Sequence, residues 1–112
     1  MEHINRIELQ GHVGTVRHNE YNGKKVVNFS LATEFLFKSR DGQILSELTW
    51  HNIVAWEGKD IEDPSLIAIG TPVYVCGRLK ATKYTSADGV EKIIHEVSAN
   101  KLRIVKDEPK PL

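Results

Sequence analysis

A single cysteine, Cys76, stands among the 112 residues of this chain. That excludes an internal disulfide framework and leaves too little sulfur for a four-ligand structural zinc site. No apolar run approaches the roughly 20 residues that cross a bilayer as a helix. Met1-Glu2-His3-Ile4-Asn5 has neither the basic nor the apolar block of a secretory leader, so a cytoplasmic protein with no membrane association is expected. An excess of one charge is also lacking. Fifteen Lys and Arg face fifteen Asp and Glu for a formal net charge of zero, so any nucleic-acid binding must come from local clustering rather than from the overall field.

Catalytic motifs are equally scarce. The histidines His3, His12, His18, His51 and His95 show no metal-ligand spacing and adjoin no recognisable nucleophile. Gly11-His12-Val13-Gly14 is too short to cradle a phosphate and falls within a strand pattern. Cys76 has no cation-rich helix terminus beside it and reads as a half-buried structural residue. A hydrolytic enzyme is therefore the weakest reading, and neither metal nor cofactor is expected.

What is present is an ordinary globular composition, 40% hydrophobic and 27% charged with a mean hydropathy of −0.33, in a chain short enough for one core. Five segments alternate apolar with polar residues and are rich in Val, Ile, Thr and aromatics: Ile4 to Arg17, Val26 to Phe37, Ile44 to Glu57, Pro72 to Thr85 and Lys92 to Val105. Asn22-Gly23, Ser39-Arg40-Asp41-Gly42 and Ser86-Ala87-Asp88-Gly89 supply turn chemistry for hairpins between strands one and two, two and three, and four and five. Between strands three and four, Asp60 to Gly70 breaks the period of two. Acidic residues precede Pro64 and a glycine closes the segment, a pattern that predicts one short helix. Five antiparallel strands with one short helix between the third and fourth is the plan of an all-β, Greek-key OB-fold barrel. A β-sandwich of equal strand count is the rival that periodicity does not exclude. Gly11 and Gly14 fall where the first strand must bend to serve both halves of such a barrel. The domain is expected over residues 1–105, with the charged, proline-bearing segment 106–112 as a fraying tail.

Strand alternation sorts the candidate binding residues. Strand three places Leu48, Trp50, Asn52, Val54 and Trp56 on one side, with Thr49, His51, Ile53 and Ala55 on the other. Strand four places Val73, Val75, Leu79 and Ala81 on an apolar face, with Tyr74, Cys76, Arg78, Lys80, Thr82 and Tyr84 opposite. One tryptophan in a strand is more often core than platform. Two on one face, beside a strand mixing aromatics with cations, suit a single-stranded nucleic acid, whose bases stack on flat rings while its phosphates require Lys and Arg. Phe35 and Phe37 sit near the end of strand two, where a bulge would turn either outward. Lys83 has the apolar parity of its strand but adjoins a loop from which it reaches solvent or phosphate. Lys24, Lys25, Lys38 and Arg40 extend a basic track or are plain surface charges. The competing reading is an OB-fold interaction module whose aromatic face docks a protein or a second copy.

Four pieces of the sequence, in this order and spacing, resemble the bacterial single-stranded DNA-binding protein family: Ile4 to Gly14, Val27 to Thr33, Thr49-Trp50-His51-Asn52-Ile53-Val54-Ala55-Trp56, and Gly70 to Leu79. The resemblance implies an OB-fold that assembles as a homo-oligomer, usually a tetramer, and holds single-stranded DNA with little sequence preference in replication, recombination and repair. Carried over by position, the family's stacking aromatics fall on Phe37, Trp50, Trp56 and Tyr84. The best-known members have tryptophan at the first and last of these and phenylalanine at the third, so aromatic character is kept while ring size is redistributed. Replicative members also continue to an acidic tip ending in Pro-Phe that recruits other proteins. This sequence ends Lys110-Pro111-Leu112, so recruitment through such a tip is not expected. The resemblance leaves two alternatives: a natural short paralogue, from a mobile element or similar to the primosomal replication protein branch, or a truncated form of a longer member.

Overall fold

The computed structural model describes residues 1–106. Five strands, β1 (Ile7–Tyr21), β2 (Lys24–Lys38), β3 (Ile44–Trp56), β4 (Pro72–Thr85) and β5 (Glu91–Ile104), close into one barrel in the order β1-β2-β3-β5-β4. Closure rules out the sandwich. All neighbours are antiparallel except β3 and β5, which run parallel through Ile53↔Val97 and Val54↔Ser98. This is the OB-fold.

β1 serves both halves of the barrel. Its first residues, from Ile7 to His12, pair with β4, and from His12 to Tyr21 it pairs with β2, so His12 is where the strand changes partner. The register with β2 shifts between Val13 and Val16, a bulge that bends the strand. Ser30 fills the gap in the ladder: its Oγ accepts the Thr15 N–H at 2.8 Å and lies 3.0 Å from Thr15 Oγ1. β1 starts three residues later than alternation suggests, because Asn5 continues the ladder with its side chain. Its Nδ2 donates to the Leu79 carbonyl at 2.8 Å and its Oδ1 accepts the Leu79 N–H at 3.0 Å.

The strand also ends later, at Tyr21, so the first connection is the two-residue turn Asn22-Gly23, both at positive φ (51° and 80°). That geometry matches the twist of the flanking strands. The other two hairpins share a longer turn. In each, a serine carbonyl accepts the N–H of the glycine three residues on, and the serine hydroxyl donates to the intervening aspartate, Ser39 with Asp41 and Ser86 with Asp88. These bonds hold both aspartates below the usual carboxylate range.

Alternate residues of every strand meet inside. Val13, Val27, Phe29, Leu31, Ile53, Ala55, Val73, Val75, Val97 and Leu102 form the core, with Ile67 closing one end. The predicted helix over Asp60 to Gly70 is reduced to a single 3₁₀ turn, Pro64–Leu66. Asp63 caps it by accepting the Ser65 N–H at 3.0 Å, but Ile67 already has extended backbone (φ −78°, ψ 123°), which aims its side chain into the barrel. Ile61 also packs against the core, through a bridge to Leu102, while Leu66 and Ile69 remain 57% and 74% exposed, so the apolar residues of the segment do not line up as one helical face against the barrel.

Beyond the barrel, the β2–β3 and β4–β5 hairpins continue as arms. From Glu34 to Lys38, from Ile44 to Trp50, from Arg78 to Thr85 and from Glu91 to His95, every residue is exposed on both faces. Leu79 and Ala81, expected in the core by parity, are exposed for this reason. Cys76 is buried rather than half-buried, at 7% exposure. The segment 107–112, which holds nearly all of the expected tail, lies outside the described residues. No helix among the described residues is long and apolar enough to cross a membrane.

Candidate nucleic-acid interface

Residues paired across a sheet point to the same side, so the register maps the outward surface of the barrel. Ala32 is matched by His12 and Trp50, Ser30 by Asn52, Asn28 by Arg17 and Val54, and Val26 by Asn19 and Trp56. Trp50 and Trp56 therefore stand on one outward face of β3, six residues and about 20 Å apart along the strand. Their inward neighbours Ile53 and Ala55 are 2% and 0% exposed, whereas Trp50 and Trp56 are 56% and 45% exposed. Between the two rings lies a groove of about 370 Å³ whose lining includes Thr15, Arg17, Asn28, Ser30, Asn52 and Glu96.

The same face runs on across β5 to β4. Val54 is matched by Ser98, and Ser98 by Arg78; Lys80 is matched by Glu96, and Tyr84 by Lys92. One row around the barrel thus reads Arg17, Asn28, Val54, Ser98, Arg78. The Asn52 amide donates to the His95 carbonyl at 3.4 Å and links β3 to the β4–β5 arm. Tyr84, 47% exposed, stands further out on that arm. Flat rings on β3 and on the arm are thereby joined by a polar strip carrying guanidinium and ammonium groups, a surface chemically suited to an unpaired strand.

Trp50, Trp56, Arg78, Lys80 and Tyr84 are brought together on this outward face. Phe37 is not. It is matched by Leu45 on the opposite parity of the regular β2–β3 ladder, and it stacks on Phe35 with centroids 6.3 Å apart and planes at 21°. No bulge turns these rings. They are exposed because the arm has left the barrel. Lys83 is likewise on the other side of its strand, with its ammonium 3.9 Å from Glu91.

Tyr74 faces outward but around the barrel toward β1. Its hydroxyl donates to Glu8, and that hydrogen bond, with a smaller contribution from desolvation, pushes its pKa up to about 12. Arg6 lies 3.8 Å from the same carboxylate. A carboxylate against the phenol makes this a poor seat for a phosphate backbone. On the inward parity, His51 Nε2 lies 2.9 Å from Thr33 Oγ1, and burial lowers its pKa. Among the described residues no group of three His, Cys, Asp or Glu is placed to hold a metal ion.

Two residues of this surface escape a reading of single strands. Arg17 joins the groove only through its match with Asn28, and Tyr21 reaches Trp56 only across two strands, with ring centroids 5.8 Å apart. Asn-Gly directly after Tyr21 is the local signal that places it at a hairpin end.

Comparison with known proteins agrees with this architecture. Residues 4–105 match the model of the Single-strand binding protein family. A single-stranded DNA-binding protein of Neisseria meningitidis is 31% identical over 104 residues, covering 91% of this chain and 60% of the relative. One of Xanthomonas axonopodis pv. citri is 33% identical over the same length, covering 91% and 58%. The chain thus spans about 60% of the length of the curated relatives it matches. Among solved structures, a Plasmodium falciparum SSB in complex with ssDNA superposes with a TM-score of 0.70 at 30% identity, covering 94% of this chain and 96% of that one. With residues 4–105 matched, the chain belongs to the Single-strand binding protein family.

Proposed function

We propose that this protein binds single-stranded DNA, non-catalytically and with little sequence preference, in DNA replication, recombination or repair. The observation that carries this reading is the pair Trp50 and Trp56, both half exposed on one outward face and flanking a groove whose lining includes Arg17, Asn28, Ser30 and Asn52 as well as apolar side chains. Bases stack on Trp50, Trp56 and Tyr84, while Arg78 and Lys80 neutralise phosphates on the same side of the sheet. Phe37, on the β2–β3 arm, offers a further ring to strand that leaves the barrel face. Stacking is indifferent to base identity because every base has a π-face, at about 1–3 kcal/mol each. Family membership and the DNA complex of the Plasmodium falciparum neighbour support the same reading.

The protein works as a homo-oligomer. In support, Leu36, Ile44 and Leu48 are 60%, 68% and 56% exposed on one side of the β2–β3 arm, more apolar surface than an isolated arm this thin shields. An interaction module without affinity for nucleic acid is the second reading, and it rests on the same apolar arm.

A titration with oligothymidine at several salt concentrations separates the two. The DNA-binding reading expects log affinity to fall linearly with log salt, by roughly 0.7 per phosphate neutralised. Absence of binding by the assembled protein at low salt contradicts it.

A further inference from the structure

We infer that Tyr21 and Trp56 form a two-ring corner that receives one base, so that the DNA path continues past β3 onto the β1–β2 hairpin. This inference rests on the reading of the outward face as a single-stranded DNA surface and extends it to a residue outside the set assigned above. The two ring centroids are 5.8 Å apart with planes inclined at 47°, the geometry of a corner rather than a closed stack. Neither ring seals the other: Tyr21 is 56% exposed and Trp56 45% exposed. An aromatic pair that existed only to bury its own surface would leave less of both rings in water.

The position of Tyr21 is fixed by local chemistry. It is the last residue of β1, its Cα partner across the ladder is Lys24, and the two-residue Asn22-Gly23 turn at positive φ between them sets the hairpin register. Partners in a ladder share a side, so the Lys24 ammonium stands on the same side as both rings, in reach of a phosphate beside a base held in the corner. Further down the same face of β1, Arg17 joins the groove between the tryptophans. From the corner into the groove this face thus presents Lys24, the two rings and then Arg17, with Asn19 and the buried Val26 between, a spacing of rings and cations that suits a strand of bases and phosphates.

The test uses full-length protein and oligothymidine at low salt, with Tyr21→Phe, Tyr21→Leu and Trp56→Ala. Tyr21→Phe keeps the ring and is expected to bind within about twofold of the parent. Tyr21→Leu keeps apolar bulk without a π-face and is expected to weaken binding roughly 5- to 150-fold, one stacking contact. The double variant Tyr21→Leu with Trp56→Ala decides whether Tyr21 touches the base or only props Trp56. A further loss of at least threefold beyond Trp56→Ala supports contact, and no further loss overturns the corner. Parent protein that binds while Tyr21→Leu binds equally well overturns the corner and leaves the broader reading intact. Parent protein that does not bind overturns both.

Discussion

The indole of Trp50 rests on Gly14, across the width of β2. A Cβ built on Gly14 would lie 2.4 Å from Cζ3 and 2.8 Å from Cη2 of Trp50, and 2.8 Å from Ser30 Oγ. The bulge in β1, the hydroxyl that bridges it and the missing side chain together make a seat for the edge of the ring on the outward face. A stacking platform held in this way loses little freedom when a base arrives.

Gly14→Ala is expected to lift the indole without unfolding the barrel, because the obstructing atoms are mostly the far end of an exposed side chain. Affinity for oligothymidine should fall roughly fivefold, the loss of about one stack, while the urea midpoint stays near that of the parent. Gly11→Ala is the contrast. Its Cβ would lie 1.9 Å from the Ala32 carbonyl oxygen, a backbone atom of the neighbouring strand, so it should cost at least about 1–3 kcal/mol of stability, read by urea unfolding.

Arg78 and Lys80 stand on the outward side of β4, matched to Ser98 and Glu96. Replacing either by alanine should reduce the slope of log affinity against log salt by roughly 0.7, one phosphate contact each. Lys83→Ala, on the other side of the strand and beside Glu91, should change the slope less. Titrations at four or more salt concentrations decide it.

Burial lowers the pKa of His51 from its ordinary 6.5. The folded state therefore resists protonation of this ring, and between the lowered value and 6.5 the unfolded chain binds more protons, so stability rises with pH across that window. Acidification below about 6.5 should lower the melting temperature, and His51→Gln should flatten that part of the profile. Thermal melts from pH 5 to 8 for both proteins measure the difference.

Leu31 is fully buried at the centre of β2, within the main core cluster. Leu31→Ala should destabilise the fold by about 2–5 kcal/mol through lost burial and a residual cavity. Affinity per folded molecule should be unchanged, since no atom of Leu31 reaches the outward face. Urea unfolding and titration below the transition separate the two effects.

Much of this molecule was legible because its signals are local. Asn22-Gly23 and the two Ser-X-Asp-Gly turns mark the hairpins, and alternation along β3 separates Trp50 and Trp56 from Ile53 and Ala55 with the sides as observed. Alternation reports the side of a sheet, however, and not whether anything covers that side. Leu79 and Phe37 share parity with core residues and are exposed, because their hairpins have run past the end of the barrel. Contacts made by closure were not legible either. Tyr21 beside Trp56, Arg17 level with Asn28 and Trp50 upon Gly14 each depend on register across two or more strands, which no single stretch of sequence contains.

The most direct test of the outward face of β3 as the DNA surface is tryptophan emission from two variants, Trp50→Phe and Trp56→Phe, each leaving one indole as reporter. On addition of oligothymidine at low salt, quenching is expected in both, because each remaining ring should stack on a base. Oligothymidine that binds, as seen by gel shift, with the emission of both variants unchanged would place the DNA elsewhere on the barrel and contradict the interface described.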